Sequence, residues 1–213
     1  MQLLMNSGGV AATNCYLVAD QESRKAVLFD APNDTTAPLL EAAMERGWDV
    51  QGLWLTHGHF DHLADHAVVT RRFPNAKVLI HPLDEQKLIQ PNSRLFQLPF
   101  TIPPRKADDY LQDGQQLRVG TIRVNVLFTP GHSPGHVMFH FPDEKILIGG
   151  DLIILGAVGR TDLPDASELE LNRSIQRIMK LPGDTQLLAG HGAPSTLGQE
   201  LDGNPYVRAA VGM

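Results

Sequence analysis

The chain has 213 residues, 42% hydrophobic and 20% charged, with 18 Lys+Arg against 24 Asp+Glu and a formal net charge of −6. That length fits one globular domain over 1–213 whose core needs no disulfide, and the single cysteine, Cys15, excludes an intramolecular bridge and a cysteine-based zinc finger. The acidic balance argues against a nucleic-acid binder, and no run approaches the ~20 apolar residues of a membrane span or resembles a signal peptide, so the expected compartment is the cytoplasm.

In chain order, residues 15–19 and 26–29 read as two strands joined by the charged turn QESRK, the second strand ending at Asp30. Residues 33–36 offer helix caps, Pro38 falls in the first turn, and Leu40 and Met44 lie four apart before Gly47, which predicts a helix. Residues 50–55 form a strand that runs into a histidine cluster, after which 63–73 reads as helix and 77–81 as strand. A short helix is expected over 82–90, and 91–114, rich in Pro, Asp and Gln, reads as a surface excursion. Residues 117–119 and 122–128 make a hairpin around Gly120, and 136–141 and 145–148 another around Pro142-Asp143. Ser167 and Glu170 form a capping box ahead of Leu171, Ile175 and Ile178, with Pro182-Gly183 as the stop and 186–189 as the last strand. Strands and helices mixed in both halves predict a layered α/β or α+β sandwich.

The chemistry concentrates in THGHFDH at 56–62, an H-x-H-x-D-H pattern holding His57, His59, Asp61 and His62. On extended backbone His57 and His59 point to one side, about 7 Å apart at Cα, so two imidazoles can converge on one cation. Asp61 and His62 then turn the other way at a helix start and can serve a second cation beside the first. Three later apolar strands each end in a glycine-rich loop with one more ligand type: His132 in TPGHSPGH, Asp151 in GGD and His191 in GHG. His66 and His81 read as solvated surface groups. His136 and His140 read as structural, with His136 able to orient the His132 loop, and Cys15 as a buried, inert thiol. The chain contains no Walker-type phosphate loop.

With Asn14-Cys15-Tyr16-Leu17-Val18, Asp30 and Gly159-Arg160-Thr161-Asp162, these segments occur in the order of the metallo-β-lactamase superfamily and resemble its small glyoxalase II-like members over most of the chain. The resemblance implies a four-layer αββα sandwich with a binuclear site. It implies that His57, His59 and His132 hold one metal, that Asp61, His62 and His191 hold the other, and that Asp151 bridges them, with Asp61 and Asp151 as the catalytic carboxylates. It further implies that Asp30 is a buried carboxylate behind the first metal loop. Two divalent ions, zinc first with iron or manganese as alternatives, would lower the pKa of a water between them toward neutrality and polarise an acyl carbonyl.

A thioester suits such a site, because a thiolate with a pKa of about 8.5–9 leaves without a strong protein acid. The expected substrate is a small-molecule thioester, with the glutathione conjugate S-lactoylglutathione as the leading example. Arg160 is a candidate for a substrate carboxylate and equally for a salt bridge with Asp162. The alternative is a persulfide dioxygenase with one iron on His57, His132 and Asp151. No nucleic-acid or membrane partner is expected, and oligomeric state stays open.

Overall fold

The computed structural model describes residues 1–91 and 97–213, which fall into two units: residues 1–111 with 118–122, and residues 112–117 with 123–213. In the first unit the strands Gln2–Gly8 (β1), Thr13–Asp20 (β2), Lys25–Phe29 (β3), Asp49–Trp54 (β4), Lys77–Ile80 (β5) and Asp109–Tyr110 (β6) form one sheet in that order. β1 to β3 are an antiparallel meander, with Gln2 opposite Ala19 and Tyr16 opposite Phe29, and β3 to β6 run parallel. Parallel neighbours require crossovers. Helix Ala37–Glu45 (α1) supplies the first, and Phe60–Leu63 (α2) with His66–Arg72 (α3) the second. Leu17, Leu28, Leu53 and Ile80 of the strands pack with Leu40, Leu63 and Val69 of the helices in one apolar core. After β5 a 3-10 turn at Pro82–Asp84 leads into Glu85–Ile89 (α4), as the short helix expected over 82–90.

Four features of this unit depart from the sequence reading. β1 has no counterpart in the predicted elements, because its residues are half-exposed and carry no strong apolar run. The helix expected over 63–73 is broken into α2 and α3 at Asp65, whose carboxylate Oδ2 accepts from the Thr35 and Thr36 amides and from the Thr36 hydroxyl at 2.9 Å. The 91–114 excursion is partly core: Ile102 and Leu111 are buried and β6 joins the sheet, while residues 92–96 lie outside the described residues. His66, expected in solvent, is buried, and its Nε2 donates to the Pro103 carbonyl at 2.8 Å. Burial, reinforced by Arg105, lowers its pKa below the usual histidine value.

The second unit holds Gln116–Val119 (β7, of which 118–119 count with the first unit), Ile122–Phe128 (β8, from Arg123 on), Val137–Phe141 (β9), Ile146–Gly150 (β10), the small hairpin Ile153–Ile154 (β11) and Ala157–Val158 (β12), and Glu168–Ile178 (α5). Gln186–Ala189 (β13), Ser195–Thr196 (β14), Leu197–Gly203 (α6) and Pro205–Ala210 (α7) follow. Its sheet runs β14-β13-β10-β9-β8-β7, with β10 and β13 parallel. Both expected hairpins form. The Ser167 hydroxyl caps α5 by accepting from the Glu170 amide, and Leu171, Ile175 and Ile178 bury one helix face against Leu147, Leu187 and Val207. The helix ends at Ile178, ahead of the Pro182 stop. β14, α6 and α7 were not among the predicted elements, although Thr196 and Gln199 form the reciprocal capping box that the sequence signature T-x-x-Q encodes. Among the described residues no helix is long and apolar enough to cross a membrane.

One buried carboxylate organises the first unit's turns. Asp20 Oδ2 accepts from the Thr121 amide at 2.8 Å, the Thr121 hydroxyl at 3.0 Å and the Ser23 hydroxyl at 2.8 Å. Gly120 adopts φ +61°, and any Cβ there would collide with Ser23 and Asp20. The Thr121 amide bond, followed by the Ser23 and other bonds, holds the Asp20 carboxyl at about 2 instead of 3.8. A depressed folded-state pKa gives stability that is complete above the unfolded value and fades as pH falls toward 2. Asp20→Ala should therefore cost about 1–3 kcal/mol near neutral pH by leaving the Thr121 amide unsatisfied. Urea unfolding at pH 7 and pH 3 should show the gap between variant and parent narrowing in acid.

Candidate metal centre

In the first unit the site is built on Asp30, the first residue after β3, in a left-handed conformation with φ +57°. Its carboxylate accepts from the Thr56 amide and the Thr56 hydroxyl, each at 2.8 Å, and from His62 Nδ1 at 2.8 Å. The single hydroxyl proton of Thr56 is thus committed to Asp30, so the Thr56 oxygen accepts from His57 Nδ1–H at 3.0 Å. In the neutral rings these bonds put the proton on Nδ1 and the lone pair on Nε2. His57 Nε2 lies 3.0 Å from His59 Nδ1, the His57 and His62 ring centroids are 4.1 Å apart, and His62 Nε2 is 3.5 Å from Asp61 Oδ2. Asp61 Oδ2 in turn accepts from the Thr13 hydroxyl at 2.7 Å.

The turn between His57 and His59 is pinned by Asp84, a fully buried carboxylate that accepts from the Gly58 amide at 2.8 Å and pairs with Lys87 at 3.1 Å. Sequence reasoning missed Thr13, Thr56 and Asp84. Thr56 stands inside the quoted motif, whereas Thr13 and Asp84 act from 48 and 26 residues away and leave no local pattern. Cys15 donates to the Asp30 carbonyl at 3.0 Å, and burial, with Asp30 and Asp65 adding to it, pushes its thiol well above the usual range. It is the inert thiol that its apolar strand predicts.

In the second unit three loops at strand ends meet. His132 Nδ1 donates to the Arg160 carbonyl at 2.9 Å, which again leaves the lone pair on Nε2. That Nε2 lies 3.4 Å from Asp151 Oδ2, and His191 Nε2 lies 3.3 Å from the same oxygen. Two close approaches need glycine. A Cβ on Gly159 would overlap the Asp151 carbonyl and press on the His132 ring, and one on Gly131, at φ +142°, would overlap the Leu171 main chain of α5. The Gly131 carbonyl accepts from the Ser167 amide at 2.7 Å, and the Pro130 carbonyl accepts from the Ser174 hydroxyl at 2.7 Å, so α5 holds the His132 loop.

The side chains of the remaining candidates make bonds of their own. Arg160 presents its guanidinium to Asp162 in a two-point ion pair, with both distances 2.6 Å and both side chains exposed, and the pair draws the Asp162 carboxyl to about 2. Of the two roles open to Arg160, the salt bridge is the one seen. His81 Nδ1 accepts from the Leu83 amide at 3.3 Å and caps the 3-10 turn, and half-buried His140 has its pKa lowered by burial and by Arg123.

The donor chemistry points to cations. With both rings neutral, a lone pair on His62 Nε2 faces the Asp61 carboxylate and one on His132 Nε2 faces the Asp151 carboxylate, so each unit sets two acceptors against each other. Such a pair is stable only with a proton or a cation between its members. Imidazole and carboxylate ligands suit zinc, iron and manganese, and an Nδ1–H held by an oxygen acceptor is the usual support of a metal-binding histidine.

Comparison with known proteins agrees with this chemistry. Residues 8–191 match the metallo-β-lactamase superfamily. The chain is 30% identical to a hydroxyacylglutathione hydrolase, GloC, of Haemophilus influenzae over 92% of this chain and 93% of that one. Among solved structures it is similar to the BLEG-1 B3 metallo-β-lactamase, at 32% identity and a TM-score of 0.88 over 97% and 99% of the two chains. It is likewise similar to TTHA1623 in a di-iron-bound form, at 35% identity and a TM-score of 0.83 over 95% and 99%. The fold is the α+β sandwich of these proteins, and the chain belongs to the metallo-β-lactamase superfamily.

Proposed function

We propose that the chain is a hydrolase of small-molecule acyl thioesters that works with two divalent metal ions, zinc first, and that S-lactoylglutathione is its leading substrate. In this reading His57, His59 and His132 hold one ion, Asp61, His62 and His191 hold the other, and Asp151 bridges them. The observation that carries it is the pairing of fixed imidazole lone pairs with carboxylate oxygens, at 3.5 Å for His62 and Asp61 and 3.4 Å for His132 and Asp151. The hydroxyacylglutathione hydrolase relative supports the thioester, and the di-iron-bound neighbour supports a pair of ions with iron as an alternative metal.

Bound divalent ions supply Lewis acidity, which makes hydroxide available from water at neutral pH and polarises an acyl carbonyl. The chain's own residues prepare for this. Asp30 and Thr56 hold the Nδ1 protons of His62 and His57, and the Arg160 carbonyl holds that of His132, so three rings keep their Nε2 lone pairs aimed without reorganisation. The Arg160 guanidinium stands exposed on the loop whose carbonyl steadies His132, where it can meet a carboxylate of the substrate by exchanging Asp162 for it. A thiolate product needs no proton from the protein, which matches a site rich in acceptors.

Asp151→Ala or His132→Ala should lower kcat/KM for S-lactoylglutathione by about 1,000-fold, or about 4 kcal/mol, measured by thiol release without oxygen. Oxygen consumption with glutathione persulfide in place of thiol release would favour the single-iron alternative. Loading the metal-free protein should release protons, and bound metal should be lost as pH falls below about 6 because the histidine ligands then protonate. Titration of metal into weakly buffered protein at pH 6 and pH 8 checks this, with more protons released per ion at the lower pH. Arg160→Ala should raise KM for a glutathione thioester about tenfold with little change in kcat, the signature of a lost binding contact. An acyl thioester without carboxylates should be turned over equally by both forms.

A further inference from the structure

We propose that His136 is a positioning residue for the candidate metal centre, holding the main chain of Asp151 and the His132 loop in one hydrogen-bonded frame. The inference rests on the reading of Asp151 and His132 as metal ligands. His136 is fully buried, and its Nε2 accepts from the Asp151 amide at 3.0 Å. An amide only donates, so the lone pair is on Nε2 and the ring proton is on Nδ1, which donates to the Thr129 hydroxyl oxygen at 2.9 Å. The tautomer is set at both ends.

The backbone of the same residue closes the His132 loop. The Thr129 amide donates to the His136 carbonyl at 2.9 Å, and the His136 amide donates to the Ser133 carbonyl. Loop 129–136 is therefore cinched at its base by His136, while the side chain reaches across to the first residue after β10. There the chain turns at Gly150, with φ +49°, and the Gly150 carbonyl accepts from the Gly190 amide at 2.7 Å. With that carbonyl fixed on one side and the Asp151 amide fixed by His136 on the other, the peptide plane before Asp151 has both its polar groups anchored. This plane sets the direction of the Asp151 Cα–Cβ bond, and hence the place of Oδ2, 3.4 Å from His132 Nε2 and 3.3 Å from His191 Nε2. The His136 ring also packs edge-on to the His132 ring at 6.4 Å between centroids. A rigid ring with an acceptor at its far end does what a flexible side chain would do less well, because Nε2 has one reachable position once the loop is closed.

The test uses the full chain and three variants, His136→Leu, His136→Gln and Thr129→Val. Zinc affinity is read by chelator competition, kcat and KM by thiol release, and folding of the metal-free protein by its melting temperature. His136→Leu should bind zinc about 10–100-fold more weakly and lose kcat with little change in KM, as expected for a group that orients a ligand. His136→Gln, which keeps an acceptor near the Nε2 position, should recover most of the affinity. Thr129→Val should weaken zinc by a smaller factor because the Nδ1 proton loses its partner. Wild-type zinc affinity in folded His136→Leu would show that His136 serves stability alone. If His136→Leu does not fold, wild-type affinity in Thr129→Val would overturn the proposal equally. His132→Ala run in parallel separates the two readings: unchanged zinc binding there would overturn the metal centre itself, whereas loss there with none in His136→Leu would overturn only the role of His136.

Discussion

An imidazole whose Nδ1–H is committed to an oxygen acceptor has one direction left for its Nε2 lone pair, and most of the site follows from that constraint. Asp30 imposes it on His62 directly and on His57 through the Thr56 hydroxyl, while the Arg160 carbonyl imposes it on His132. Without those partners the rings could rotate or exchange tautomer, and close placement of nitrogen and carboxylate oxygen would relax into ordinary hydrogen bonds. With them, acceptors face acceptors at fixed positions. The ordering is done by groups that never touch a substrate, which is why a buried aspartate in an unusual backbone conformation matters as much as the histidines.

The scaffold serves the same end. In each unit the candidate residues stand just beyond the ends of sheet strands, after β4 in the first and after β8, β10 and β13 in the second. Backbone leaving a strand has no further ladder bonds, so it must be held by other means. The structure supplies them as side-chain carboxylates on the Thr56 and Gly58 amides, as α5 on the Gly131 loop, and as glycines where a Cβ would collide. Rigid strands place the loops and these local bonds set the last few tenths of an ångström.

What could be read from the sequence was what lies close together along it. The H-x-H-x-D-H segment and the three glycine-flanked loops declare their chemistry within a few residues, and the strands leading into them are apolar enough to recognise. The superfamily assignment from those same residues agrees with the comparisons. The fold's short or half-exposed elements were not legible: β1 has an apolar run of three residues, Leu3 to Met5, and is half-exposed, β14 has two residues, and α6 and α7 have seven and six. His66 appeared exposed because its burial depends on a stretch reaching Pro103, 37 residues away. Asp84 and Thr13 were invisible for the same reason. The Arg160 carbonyl has no signature at all, since any residue has one; only the glycine before it, where a side chain would strike His132, marks the position.

In the proposed function, metal ions reconcile the opposed acceptors of this chain. Native mass spectrometry of protein purified without chelator and without added metal, paired with elemental analysis, tests it directly. Close to two divalent ions per chain, zinc foremost, are expected. A chain that retains no metal, or that holds one iron tightly and takes up no second ion, would contradict it.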